Sequence, residues 1–257
     1  MARRININAD LGEGFGPYDI GDDANLLEIV RTANVACGFH GGDPAVMART
    51  LRAAEAHGVS VGAHPGFDDL AGFGRRRIVM DPARLEAMIA YQIGAMLGMA
   101  AYAGVEVSHV KAHGALNNMA CDDRPYADAI MRAQARVAPW AIALVIPNTE
   151  LEAAAEAAGL RVAREAFVDR TYEDDGRLTS RSEPGAVLKD PREAAERAVA
   201  MVREGVIVSR HGTRLETGFD SLCVHGDEPT SVAVARATRE ALEADGVEIV
   251  TLPAMLG

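Results

Sequence analysis

The sequence predicts an α/β protein built as a closed or nearly closed barrel of alternating strands and helices, with a doubly wound open sheet as the runner-up. Three observations lead there. Short strand-like runs alternate with Ala-rich helical runs along the whole chain. No linker, low-complexity tract or internal repeat interrupts them, so residues 1–257 read as one domain. The long, Gly-rich, charged connections mostly follow strands, as they do at the C-terminal rim of a parallel barrel.

Strands are expected near residues 4–9, 32–37, 59–63, 106–112, 141–146, 160–165, 221–225 and 247–251, with 206–208 a weaker candidate. Helices are expected at about 44–57, 82–103, 123–138, 149–158, 190–204 and 229–244. Asp43-Pro44, Asp81-Pro82, Asp190-Pro191 and Glu228-Pro229 mark four helix starts, because Pro in the first turn gives up an N–H that has no partner there anyway. Residues 10–24, 64–80, 113–122, 166–188 and 209–219 are expected as long loops. Ala87–Val105 has no charged residue and the length of a membrane span. It is mostly Ala, Gly and Met, however, carries Gln92 and lies between two strands. It is read as a helix buried on several sides by sheet and neighbours, or by a second copy of the chain, which would make the protein a homo-oligomer.

Composition narrows the function. The chain has 257 residues, 49% hydrophobic and 25% charged, with a net charge of −11, so a phosphate-tracking nucleic-acid binder is not expected. Cys37, Cys121 and Cys223 are far apart and suggest neither a disulfide framework nor a zinc knuckle. The start, "MARRININADLGEG", has no apolar signal region, and a reducing cytoplasm is the expected setting. There are 24 Arg but only two Lys, Lys111 and Lys189. A lysine where arginine is the default indicates a need for a compact charge with an adjustable pKa.

Five strands share one signature. In "ININADLGEG" the residues Asn6, Asn8 and Asp10 fall on one parity, opposite Ile5, Ile7 and Ala9. "TANVACGFHGGDP" leads through Asn34, Ala36 and Gly38 to His40, with Asp43 just beyond. "GVSVGAHPGFDD" sets Ser60, Gly62 and His64 against Val59, Val61 and Ala63. "VSHVKAHG" lines up His109, Lys111 and His113, and "SLCVHGDEP" lines up Ser221, Cys223, His225 and Asp227. Side chains two apart in a strand share a face. A barrel would therefore gather Asp10, His40, His64, His113 and His225 at one rim. Five of the seven His fall in these motifs. Lys111 and His113 are expected to face the pocket, with His109 deeper as a packed, hydrogen-bonded support.

Such a cluster admits two chemistries, and spacing does not choose between them. Asp10, His40 and His64 are candidate ligands for a divalent metal. The same groups can serve as acid and base around a substrate without metal. "GEGFG", "CGFHGGDP" and "GFGRRR" offer backbone N–H groups to an anion or simple turns, and Arg75 within the last is a candidate clamp for a carboxylate or phosphate. In "FVDRTYEDDG", Asp169 and Arg170 follow another strand, where an ion pair ordering the loop competes with substrate binding. No GxxxxGK[ST] loop, strand-following GxGxxG or GxSxG elbow occurs. Cys37 and Cys223 read as small buried thiols.

"NADLGEGFG", "TANVACGFHGGDP", "GAHPGFDDLAGFGRR", "YQIGA", "HVKAHGAL", "FVDRTY" and "CVHGDEP" together resemble the LamB/YcsF family of bacterial 5-oxoprolinase A subunits, in order and over nearly the whole chain. The resemblance implies a TIM-like (βα) barrel, seven-stranded and distorted, related to the glycoside hydrolase/deacetylase fold. It also implies ATP-dependent hydrolysis of the cyclic amide of 5-oxo-L-proline to L-glutamate, with partner subunits B and C. Carried over position by position, Asp10, Glu13, His40, Asp43, His64, Lys111, His113, Arg170, His225 and Asp227 match the family's motif residues. Asp10, His64, Lys111, His113 and His225 are the expected catalytic groups; Glu13, His40, Asp43, Arg75, Arg170 and Asp227 are the expected substrate contacts. The chain departs from the family pattern at Ala112, usually Pro, at Asn117, usually Tyr, and at Glu228, usually Thr. The alternative readings are a metal-dependent carbohydrate deacetylase and a non-catalytic ligand-binding subunit.

Overall fold

The structure, a computed structural model, describes residues 3–181, 183–226 and 229–257. Its strands are β1 (Arg3–Leu11), β2 (Thr32–Ala36), β3 (Ser60–His64), β4 (Val107–Val110), β5 (Ile142–Val145), β6 (Val162–Phe167), β7 (Val206–Val208), β8 (Arg214–Glu216), β9 (Ser221–Val224) and β10 (Val247–Val250). Its α-helices are α1 (Asp23–Ile29), α2 (Pro44–Ala56), α3 (Pro82–Ala103), α4 (Gly114–Asp122), α5 (Arg124–Val137), α6 (Glu150–Ala157), α7 (Pro191–Glu204), α8 (Ser231–Ala244) and α9 (Leu252–Met255). Strands β1 to β6 follow one another in the sheet, and β9 closes the ring by pairing with both β6 and β1. The result is a parallel barrel of seven strands wrapped by helices.

The expected helix starts form as anticipated at three sites. Asp43, Asp81 and Asp190 each cap a helix through side-chain oxygens that accept N–H groups of the first turn, with Pro next in the chain. The fourth start differs: α8 begins after Thr230, whose side chain makes no capping hydrogen bond, and Glu228 lies outside the described residues.

Four expectations need correction. Residues 113–122 are helix rather than loop: β4 turns directly into α4, and Ala115, Leu116, Met119 and Ala120 bury one face of it. The expected loop 10–24 ends in the short helix α1, which Asp22 caps. Strand β10 pairs with Arg3–Asn6 of β1, outside the ring of seven, and β7 forms an antiparallel hairpin with β8 away from the barrel. Within the chain, helix α3 is buried on one side rather than on several. Leu85, Ile89, Ile93, Met96 and Ala100 face inward, whereas Tyr91 and Tyr102 are 65% and 69% exposed. None of the described helices is long and apolar enough to cross a membrane.

The apolar core is an annulus between strands and helices. Ile5, Ile7, Ala9 and Leu11 on β1 join Val35, Val61, Val110 and Leu222 of other strands against Leu26, Leu51, Ile89, Met96, Ile130 and Leu151 of the helices. A fully buried Leu or Ile contributes about 1.5–3 kcal/mol by leaving water. Inside the ring, only the lower end is apolar: Ile142, Leu144 and Ala163 of β5 and β6 pack with Leu252 of α9.

Candidate active site

Above that plug the barrel axis is polar. His109 Nε2 donates to Asn34 Oδ1 at 2.8 Å, and Asn34 Nδ2 donates to Asn8 Oδ1 at 2.7 Å and Asp10 Oδ1 at 2.8 Å. Asn8 donates to Ser221 (2.7 Å), Ser221 to Asn6 (2.5 Å), and Asn6 to Thr32 (2.8 Å). Thr32 meets Ser60 at 2.8 Å, whose hydroxyl donates to the carbonyl of Arg31. These side chains are the inward parities of β1, β2, β3, β4 and β9. Burying so many polar groups is tolerable because each finds a partner. His109 is the expected brace: burial, followed by the nearby Lys111 charge, holds its pKa down at about 3, so it stays neutral. With Nε2–H given to Asn34, its Nδ1 lies 2.9 Å from the Ser108 hydroxyl, which donates to the Val61 carbonyl at 2.9 Å. Gly62 leaves room for the ring, since a Cβ there would lie 2.3 Å from it.

At the upper end this ladder meets a buried ion triad. Lys111 Nζ donates to Asp10 Oδ1 at 2.9 Å and lies 3.3 Å from Cys223 Sγ. Glu165 Oε1 is also 2.9 Å from Nζ, outside hydrogen-bonding alignment. Burial alone would discharge the lysine, but Asp10 chiefly, with Cys223 and Glu165, pushes its pKa well above the ordinary value. Burial would likewise raise Asp10, yet His64 and Lys111 hold it well below the usual carboxylate range. Lys111 is therefore a fixed positive charge rather than a base.

Across the rim stands a second pair. His225 Nδ1 lies 2.8 and 3.0 Å from the two carboxylate oxygens of Asp169, and Asp169 Oδ2 also accepts the His225 backbone N–H at 3.1 Å. Asp169 is buried, which would raise its pKa, but His225 brings it below the ordinary value. The clamp fixes the Nδ1–H tautomer and leaves Nε2 as the basic nitrogen. The imidazole stacks on Phe167, ring centroids 5.4 Å apart.

Between these groups lies a cavity of about 340 Å³, lined by Asp10, Lys111, His64 and His225 together with Arg75, Arg170, Arg181, Asn117 and Asn118. Its remaining side is a histidine cluster. His40 and His113 stack face to face, centroids 3.7 Å apart, and His64 meets both edge-on. Burial first, then neighbouring imidazoles, pushes the pKa values of His40 and His113 well below the ordinary value. Phe73, in the left-handed region at φ 54°, sets its ring edge-on to this stacked pair.

The structure thus gathers Asp10, Glu13, His64, Arg75, Lys111, His113, Arg170 and His225 around one cavity. Other expectations change. His40 is fully buried behind His113 and does not line the cavity, so it is not a substrate contact. Asp43 is committed to capping α2, accepting from Ala45, Val46 and Gly16, and is likewise absent from the cavity wall. Arg170 reaches the wall, but its Nε and Nη2 donate to the carbonyls of Ala186 and Thr179, so it orders the loop after β6. Asp227 lies outside the described residues. The candidate metal trio Asp10, His40 and His64 is regrouped: the donors that converge are Glu13, His40, His64 and His113. Glu165 was not anticipated, nor was Asp169 as the partner of His225. The signal for both was the parity Glu165, Phe167, Asp169 at the end of β6.

The LamB/YcsF family profile matches residues 5–257. The chain is 52% identical over 248 residues to a 5-oxoprolinase A subunit of Rhodopseudomonas palustris (strain BisB5), covering 96% of this chain and 98% of the relative. It is similar to the crystal structure of a lactam utilization protein from Thermus thermophilus, with a TM-score of 0.92, 46% identity and coverage of 96% and 99% of the two chains. A deacetylase solved with its substrate matches with a TM-score of 0.50 at 14% identity, over 98% of this chain and 91% of that one, a likeness of fold alone.

Proposed function

The chain belongs to the LamB/YcsF family, and from that premise we propose that it is the ring-opening component of an ATP-dependent 5-oxoprolinase, converting 5-oxo-L-proline to L-glutamate together with partner subunits B and C. The single observation that carries the chemistry is that His225, held by Asp169, lines the same small-molecule-sized cavity as Asp10 and Lys111. A five-membered lactam is a resonance-stabilised amide, and ATP supplies a phosphoryl group that makes its carbonyl carbon a better electrophile. His225 Nε2 takes a proton from water as the water oxygen bonds to that carbon. The resulting imidazolium is stabilised by the Asp169 carboxylate. The ring C–N bond then breaks, the imidazolium returns the proton to the departing nitrogen, and the γ-glutamyl phosphate so formed is hydrolysed by a second water to L-glutamate and inorganic phosphate. Lys111 supplies fixed positive charge beneath the reacting carbonyl. Arg75 and Arg181 give the cavity mouth a positive side that suits the α-carboxylate of the substrate.

The test is glutamate release from 5-oxoproline and ATP, with and without subunits B and C. Activity in the full mixture that falls at least a hundredfold, as loss of a general base implies, with His225→Ala supports the reading. Undiminished turnover by both His225→Ala and Lys111→Ala would overturn the site. Acetate release from an N-acetylated sugar by this chain alone would point to the deacetylase reading instead.

A further inference from the structure

One group of the site has no part in that mechanism. His64 donates Nδ1–H to the carbonyl of Lys111 at 2.7 Å, which leaves Nε2 as the nitrogen turned toward the site. That nitrogen is buried, has no hydrogen-bond partner, and sits 3.4 Å from a carboxylate oxygen of Asp10. An imidazole nitrogen and a carboxylate oxygen this close in a dry site call for a cation between or beside them, which a proton on Nε2 or a bound metal ion supplies. Three further donors share the space. His40 Nε2 is 3.2 Å and His113 Nε2 is 3.7 Å from Glu13 Oε1, and one ligand atom from each of Glu13, His40, His64 and His113 lies within 4.8 Å of all the others.

We propose that Glu13, His40, His64 and His113 form a binding site for one divalent transition-metal ion of the zinc class. Bonds of about 2.0–2.2 Å to a tetrahedral ion place ligand atoms about 3.3–3.6 Å apart, so movements of order 1 Å draw these donors onto a common centre. The donor chemistry, imidazoles with one carboxylate, is that of zinc and its neighbours rather than of magnesium or calcium. The carbonyl of Lys111 behind His64 is the outer partner that fixes a ligating imidazole in the correct tautomer. Gly66 and Gly74 crowd the Nδ1 sides of His40 and His113, where a Cβ would come within 2.6 and 2.7 Å, so their Nε2 edges are the ones that approach Glu13. Glu13, His64 and His113 also line the cavity, which gives the ion an open face toward a bound molecule. The proposal is independent of the lactam reading, since it rests on this chain's donors alone.

The experiment uses the full chain alone, stripped with a chelator and titrated with Co2+ while its visible d–d absorption is recorded, together with elemental analysis of undialysed protein. One Co2+ per chain with the intense bands of a four- or five-coordinate ion is expected. His64→Ala should weaken binding by more than the 10–100-fold that loss of a merely supporting residue costs. Glu13→Gln should do the same, and serves where His64→Ala fails to fold by circular dichroism. His57→Ala and His211→Ala, which alter histidines away from the site, should bind as the parent does. Octahedral, weak or sub-stoichiometric binding that is the same in parent and ligand variants would overturn the proposal. Because no ATP, lactam or partner protein enters this measurement, its failure leaves the ring-opening reading standing, and the reverse holds equally.

Discussion

Asp169 is the residue whose removal separates positioning from burial. Its carboxylate meets His225 at the rim, so Asp169→Asn should leave KM nearly unchanged and lower kcat for glutamate formation by about 10²–10⁴, the range attributed to general-base catalysis. Steady-state kinetics of the reconstituted complex checks this, and a change confined to KM would argue for a substrate contact instead. His109 makes a different prediction. Its folded pKa of about 3 lies below the ordinary histidine value of about 6.5, so the unfolded chain binds a proton that the folded one refuses. Its contribution to stability is full above about pH 6.5 and is lost as pH falls toward 3, at up to about 1.4 kcal/mol per pH unit. Urea unfolding of the parent and His109→Gln between pH 7 and 4.5 should show a shallower acid slope in the variant. Lys111 shows how residue usage can flag a place without revealing its reason. Its rarity marked it out, but the structure uses it as a compact ammonium among two carboxylates and a thiol, a setting that a planar guanidinium fits poorly.

Among the elements, β6 explains what sequence reading missed. Its run "VAREAF" places Arg164 and Glu165 side by side on opposite parities, so the alternation that betrayed the other strands is blurred. Arg164 turns outward to Glu152 at 2.5 Å, while Glu165 turns inward to Lys111. The three helices that begin with a capping Asp followed by Pro were legible because a cap is local chemistry; α4 was not, because its start has no side-chain cap and its reason for being helical is tertiary packing. Helix α3 reaches into the site through Gln92, whose amide accepts from Gly66 N–H and donates to Gly66 C=O, both at 2.9 Å. Gln92→Leu should leave that buried peptide unsatisfied and cost about 1–3 kcal/mol, read as a lower urea midpoint with unchanged m-value. Gly62→Ala should be at least as harmful, since the added methyl group collides with His109. A loss in the upper part of about 1–3 kcal/mol is expected, and thermal unfolding would show it as a Tm several degrees lower.

The molecule as a whole was more legible than its site. Continuous βα alternation and five polar strand parities lead to a barrel, yet nothing local tells that β10 stays outside the ring, because closure depends on β9 finding both β6 and β1. Convergence of the rim histidines followed from the barrel; which of them share a donor set did not, since it depends on how the chain between Gly66 and Gly74 folds over them. Burial extends to every thiol. Cys37 and Cys121 are pushed up to about 12 and Cys223 well above the ordinary value, all by burial first. At pH 8 a thiol of pKa 12 is ionised to roughly one part in 10⁴, so native protein should resist iodoacetamide and react at all three cysteines only in denaturant; prompt native labelling would contradict the packing. The hydrogen-bonded axis has one more consequence. From His109 through Asn34, Asn8, Ser221, Asn6, Thr32 and Ser60 to the Arg31 carbonyl, every donor points the same way. A strand threaded one residue out of step would bring Ile5, Ile7 and Ala9 into that column and leave its neighbours with nothing to bond. An oily interior would forgive such a slip; this one penalises it, because every misaligned barrel buries donors and acceptors without partners.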